Sequence, residues 1–316
     1  MPLAWVPYAG RAEAERRLGG IPSGLELDFY RADGDQLPGT LGEVAFYVLP
    51  YMKGTGVLDR VSEMPRLEVA QTLTAGYEDF LPLLPERVTL CNAAGLHDTS
   101  TAELAVALAL ASGRHLDWFA RDQVPGTWGQ RPGRSLADRR VLIVGYGRIG
   151  AAIEARLAGF EVASVTRVSH RARSGPPLVH PVGDLPALLP EAEVVFIAAP
   201  HTPQTEGLFG ARNLGLLPDG ALLVNVARGK LVDTAALLAE LSAGRITAAL
   251  DVTDPEPLPA GHPLWHAPGV LISPHVGGAS SAFAPRADRL IAAQLARFAD
   301  GQPLANIVRP GRSRHQ

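Results

Sequence analysis

Short apolar runs recur along the whole chain, each closed by Gly, Pro or Asp. In the first hundred residues AWVPYA, LELDFY, VAFYVLP, RLEVAQTL and RVTLCNA read as buried strands. Between them AEAERRLG and VLDRVSEMP carry helical spacing. Strand and helix in alternation predict a parallel sheet covered on both faces. The spacing then predicts a long helix from about Thr99 to Leu116, with Thr99, Ser100 or Thr101 as cap and Glu103 placed for a capping box. ARDQVPGTWGQRPGRS follows, too polar and too rich in Pro and Gly to be an element. A second series begins after it: RRVLIVG, EVASVTR, EVVFIAAP, GALLVNVA, ITAALDV and VLISPH. Six such strands with helices between them are what a doubly wound nucleotide-binding domain requires. A last helix, about Ala282 to Ala299, is expected to return to the first domain.

Composition narrows the class. A chain of 316 residues suits two domains, and a net charge of −3 offers no basic field for nucleic acid or a membrane surface. Cys91 is the only cysteine, so no intrachain disulfide forms. The opening MPLAWVPYAGRAEAE does not read as a signal peptide, and the longest apolar runs, such as LAVALALA, are too short to span a bilayer. The expectation is a cytoplasmic protein without nucleic-acid, membrane or metal partners. RARSGPP at 171–177 reads as a loop.

Chemistry enters with GYGRIG, residues 145–150, between an apolar strand and a helix. Gly145 permits the tight turn, Gly147 lets backbone approach a pyrophosphate, and Gly150 lets the helix pack on the strand. The helix start offers N–H groups and partial positive charge. The next strand should end in Asp or Glu if a free ribose 2′-hydroxyl is bound. Thr166, Arg167, Val168 and Ser169 stand there instead, with His170, Arg171 and Arg173 close behind. Arginine grips phosphate through a planar fork, so this segment reads as a 2′-phosphate site favouring NADP. A solvated basic loop without cofactor preference is the bland alternative.

Three polar residues follow later strands: Arg228 in LLVNVARGKLVD, Glu256 in ITAALDVTDPEPLP and His275 in VLISPHVGG. Singly, each reads as a surface ion pair, a solvated acid or a turn residue. At successive strand ends behind a glycine loop they read as a set. Reduction of a 2-oxo acid needs a permanent cation for the substrate carboxylate and ketone, a proton donor near neutral pH, and a carboxylate behind that donor. Arg228, His275 and Glu256 match those needs in that order.

Taken together, GYGRIG, NVARGKLVD, AALDVTDPEPLP, HPLW and SPHVGG resemble the successive signatures of the D-isomer-specific 2-hydroxyacid dehydrogenases, over nearly the whole chain. The resemblance implies an α/β protein of two doubly wound parallel-sheet domains with a cleft between them. A flavodoxin-like substrate domain would comprise 1–98 and 283–316, and a Rossmann dinucleotide-binding domain 99–282. It implies a homodimer through the cofactor domains. It makes Arg228 the substrate-binding arginine, His275 the acid/base and Glu256 its partner. Tyr146, Arg148, Ile149 and the three glycines would hold the cofactor with Thr166, Arg167 and Ser169. Pro200, Val226, Ala227 and Asp251 would stand around the nicotinamide, with Thr205 and Gly277 also among the cofactor-binding residues. Met52, Lys53 and Gly54, with Thr74, Ala75 and Gly76, would receive the substrate.

Departures choose within the family. Glu256 stands where a formate dehydrogenase would have Gln, and Ala75 where a phosphite-oxidising relative would have Lys. His97 and Asp98 read as a satisfied loop pair, with a hinge or cleft contact as the other option. The arginines behind the second strand point to a glyoxylate/hydroxypyruvate reductase, with NAD also possible as cofactor. Two alternatives stay open: an NAD-linked phosphoglycerate-type dehydrogenase, and a dinucleotide-sensing scaffold like the corepressors of this fold.

Overall fold

The computed structural model describes residues 1–31 and 37–312. The chain forms two compact units, one of 1–97 with the segment from 281 onward, the other of 98–280. The last four residues of the expected 283–316 segment lie outside the described ones.

The first unit begins with β1 (Leu3–Val6), α1 (Arg11–Leu18), β2 (Glu26–Phe29), β3 (Val44–Val48), β4 (Val69–Gln71) and β5 (Thr89–Cys91). The strand VAFYV is buried at every position, as a strand covered on both faces must be. The second unit carries α2 (Asp98–Gly113), α3 (Leu116–Gln123), β6 (Arg140–Val144), α4 (Arg148–Leu157), β7 (Ser164–Ser169), β8 (His180–Pro181), α5 (Leu185–Leu188) and β9 (Val194–Ile197). It continues through α6 (Ala211–Gly215), β10 (Leu222–Asn225), α7 (Thr234–Ser242), β11 (Thr247–Leu250) and β12 (Val270–Ile272). The chain then returns to the first unit with α8 (Phe283–Ala299) and β13 (Ile307–Arg309).

In the first sheet the order is β13-β5-β4-β3-β1-β2, parallel except for the edge strand β13. Its parallel part follows the 2-1-3-4-5 flavodoxin-like order. The second sheet runs β12-β11-β10-β9-β6-β7-β8, with every pair parallel. That is the nucleotide-binding order, with its switch point between β6 and β9. One face of it packs Ile143, Phe196 and Val224 against Ala105, Ala109 and Ile153 of α2 and α4; the other packs Leu142, Val195 and Leu223 with Leu214, Leu237 and Leu241 of α6 and α7.

Several expectations change. VLDRVSEMP is not a helix but two short 3-10 turns, Thr55–Leu58 and Val61–Glu63. The first sheet is therefore helical on one face only, where α1 and α8 lie; the other face is closed by irregular chain around Leu58, Met64 and Leu67. The long helix stops at Gly113, because His115 takes a positive φ of 56°, and α3 starts at once after it. The second sheet gains a seventh strand, β8, only two residues long. Polar groups anchor α8: Asp288 accepts from Tyr8 Oη and Arg17 Nε, both at 2.9 Å. Cys91 is fully buried, and burial pushes its thiol up to about 11 against a hydrogen bond with Gln294, so it behaves as an inert core residue.

Candidate active site

The glycine loop lies at the C-terminal end of β6, beside the switch point. Gly145 has φ +102°, and a Cβ there would lie 2.2 Å from Ala199 N, so the turn after β9 excludes any side chain. At Gly150 a Cβ would lie 2.5 Å from Gly145 O, as close packing of helix on strand demands. Gly147 is different: a Cβ there would meet nothing within 4 Å. The loop thus leaves its second glycine open at the start of α4, as close approach of an anion to the backbone requires. Gly145 N and Tyr146 N both donate to Val168 O at 2.9 Å, locking the loop to the end of β7.

The side chains near β7 are already engaged. Arg167 donates from Nε to Glu154 Oε2 at 2.7 Å and from Nη2 to Glu154 Oε1. Tyr146 Oη donates to the same carboxylate at 2.5 Å. Arg173 donates to Tyr146 O at 2.6 Å, and Ser169 Oγ to Arg171 O at 2.6 Å. Arg148 pairs with Asp98 at 2.6 Å. His97 belongs to the first unit, with Nε2 at 2.7 Å from Leu73 O and its ring stacked on Tyr51 and Phe283. Thr166 lies mid-strand, half-buried, and Ile149 is likewise half-buried in α4.

The three polar residues come from the ends of neighbouring strands. β10, β11 and β12 pair in order, so the turns after them share one edge of the sheet. His275 Nδ1 lies 2.5 Å from Glu256 Oε1. Burial pushes the Glu256 carboxyl up, but the His275 ring, the Thr253 N–H and the Arg228 charge outweigh it and hold the group below the usual carboxylate range. Arg228 is thus close enough to act on Glu256, and its Nη1 donates to Ala227 O at 2.6 Å.

Two scaffolds hold these side chains, and neither was singled out from the sequence. Asn225, buried at the end of β10, donates to Arg228 O at 3.0 Å and accepts from Ala227 N at 3.0 Å. A Cβ on Gly229 would lie 1.9 Å from Thr253 O, so only glycine lets the Arg228 turn pack on the segment leading to Glu256. The signal for both was a polar residue and a glycine flanking VAR. Asp251 was singled out for the cofactor. The residue is 2% exposed; its carboxylate accepts from Ser273 Oγ at 2.6 Å, Val276 N at 2.9 Å and Gly277 N at 2.8 Å, while its carbonyl accepts from His275 N at 2.8 Å. It therefore clamps the turn that carries His275, whose φ is +53°.

Pro200 and Thr205 lie in the turn after β9, where Thr205 Oγ1 donates to Pro200 O at 2.8 Å. Val226 and Ala227 are buried beneath the Arg228 turn. In the first unit Met52, Lys53 and Gly54 follow β3, and Thr74, Ala75 and Gly76 follow its partner β4, so both segments stand at one end of that sheet. Thr74 Oγ1 donates to Gly76 O at 2.7 Å and Asn92 Nδ2 to Ala75 O at 2.8 Å. Met52 is exposed at φ 57°.

Residues 106–277 match the family model described as D-isomer specific 2-hydroxyacid dehydrogenase, NAD binding domain. The chain is 31% identical to a glyoxylate reductase of Thermococcus gammatolerans over 77% of each chain. It is 32% identical to a glyoxylate/hydroxypyruvate reductase B of Citrobacter koseri, over 70% of this chain and 71% of that one. Among solved structures, a D-isomer specific 2-hydroxyacid dehydrogenase from Xanthobacter autotrophicus in complex with NADPH and MES superposes with a TM-score of 0.78 at 30% identity, covering 98% of both chains.

Proposed function

The chain belongs to the D-isomer-specific 2-hydroxyacid dehydrogenases, and from that premise we propose that it reduces a small 2-oxo acid of the glyoxylate, hydroxypyruvate or pyruvate type to the D-2-hydroxy acid, with NADPH preferred over NADH. The observation that carries this reading is the 2.5 Å contact of His275 with Glu256, beside Arg228, on three adjoining strand ends.

The reduced nicotinamide supplies the hydride when bound. The loop Gly145–Gly150 with the start of α4 would hold its pyrophosphate, and the turns bearing Pro200, Val226 and Ala227 its ring. With Nδ1 tied to Glu256, His275 keeps Nε2 for the proton delivered to the carbonyl oxygen. Glu256 balances the imidazolium and fixes its orientation. Arg228 binds the substrate carboxylate and polarises the ketone through its guanidinium charge. Asp251 keeps the His275 turn in place, and the segments 52–54 and 74–76 of the first unit receive the substrate. The domains are assigned accordingly: 99–282 to the cofactor, 1–98 with 283–316 to the substrate.

Support for NADPH comes from the absence of an acid between Thr166 and Ser169 and from the exposed Arg171 and Arg173 beyond them. The names of the relatives support the substrate class. The chain is further proposed to act as a cytoplasmic homodimer through the cofactor unit. In that unit α3 and the loop behind it expose Leu116, Trp118, Val124 and Trp128, the last at 92%. Among the described residues no helix is long and apolar enough to cross a membrane.

The test is a panel of glyoxylate, hydroxypyruvate, pyruvate and phosphohydroxypyruvate, each assayed with NADPH and NADH. Turnover of the unphosphorylated acids, faster with NADPH, is expected. Turnover of phosphohydroxypyruvate alone would replace the reading with the phosphoglycerate-type one, and no turnover of any would end it.

A further inference from the structure

The second residue of the glycine loop, the helix behind it and the strand that should bear the ribose acid meet in one charged cluster. Arg167 spends a whole edge of its guanidinium on Glu154, and Nη1 donates to Val165 O at 2.9 Å. Three of the five N–H donors of an arginine are then committed. Tyr146 supplies a further donor to the same carboxylate, and the Arg167 and Arg173 guanidinium groups lie 5.7 and 5.3 Å from its ring centroid. Both partners of the pair are about one-fifth exposed, so water screens it only in part.

A carboxylate and a phosphate ask for the same fork of the same arginine. We propose that Glu154 sets the cofactor discrimination of this chain: it occupies Arg167 as an internal anion and so withholds that guanidinium from a 2′-phosphate. The inference rests on the nicotinamide reading given above. With the Glu154–Arg167 pair neutral as a whole, NADPH is distinguished from NADH by Arg171 and Arg173 alone. Removing the Glu154 charge frees a cation beside the end of β7 and removes a like charge that a phosphate dianion would face.

The experiment is isothermal titration of wild type, Glu154→Gln and the double variant Glu154→Gln/Arg167→Gln with NADPH and with NADH. Glutamine keeps the length and an acceptor oxygen, so the Tyr146 contact has a partner in the variants. Glu154→Gln is expected to tighten NADPH roughly five- to tenfold, the scale of one charged hydrogen bond, with NADH within about twofold. The double variant is expected to return to the wild-type ratio, because a neutral pair has been replaced by a neutral pair. An unchanged or weaker NADPH affinity in Glu154→Gln, or a loss of about tenfold or more in the double variant, would overturn the inference while leaving the enzyme reading intact. Failure of wild type to bind either dinucleotide would overturn both.

Discussion

At the scale of single residues, the chemistry rests on side chains whose partners hold them in one state. His275→Gln is expected to lower kcat by about two to four orders of magnitude, because the proton donor is gone. Titrated NADPH affinity should be retained, since the ring binds none of the dinucleotide in this reading; a normal kcat would place the proton elsewhere. Glu256 carries the pH dependence. Its carboxyl is held below its ordinary value, so the stability it contributes is complete at neutral pH and is lost as pH falls through the lowered value. Thermal melting across the acid range should show that loss in wild type and not in Glu256→Gln; parallel curves would refute it. Arg228, Glu256 and His275 were legible only as a set, because they follow successive strands behind a glycine loop. The Asp251 clamp was not, since a buried carboxylate and a cofactor ligand look alike until its donors are seen. The pairing of Arg167 was hidden for a similar reason: the acid it meets stands thirteen positions earlier, one helix away.

At the scale of elements, the strands and the glycine loop were legible because buried parallel strands are nearly continuous apolar runs, whatever surrounds them. The turns between them were harder. Residues 57–65 carry helical spacing, yet they close the core of the first sheet as 3-10 turns. Local propensity over so short a stretch yields to packing. Gly229 shows the same dependence. Gly229→Ala would drive a methyl into the Thr253 carbonyl, and the expected cost is about 1–3 kcal/mol in a denaturant melt. The displaced Arg228 turn should also raise KM for the 2-oxo acid. Unaltered stability and KM would mean the turn yields without loss.

At the scale of the whole molecule, the proposed dimer would be built on the exposed aromatics of α3 and its following loop. Light scattering after size exclusion is expected to report a dimer for wild type and a monomer for Trp128→Asp, because a buried charge without a partner is costly at an apolar interface. A dimeric Trp128→Asp, or a monomeric wild type, would refute this route of association. Both sheet orders bring strand ends from distant sequence into one row. The amino-acid order by itself determined which runs are strands, where the glycine loop stands and which three residues have the side-chain chemistry to bind a carboxylate and move a proton. Those properties are local, set by hydrophobicity, glycine geometry and side-chain type. Tertiary structure alone decided that Asp251 supports the His275 turn and that Arg167 is already paired. Such pairings depend on distances between segments that the linear order leaves free.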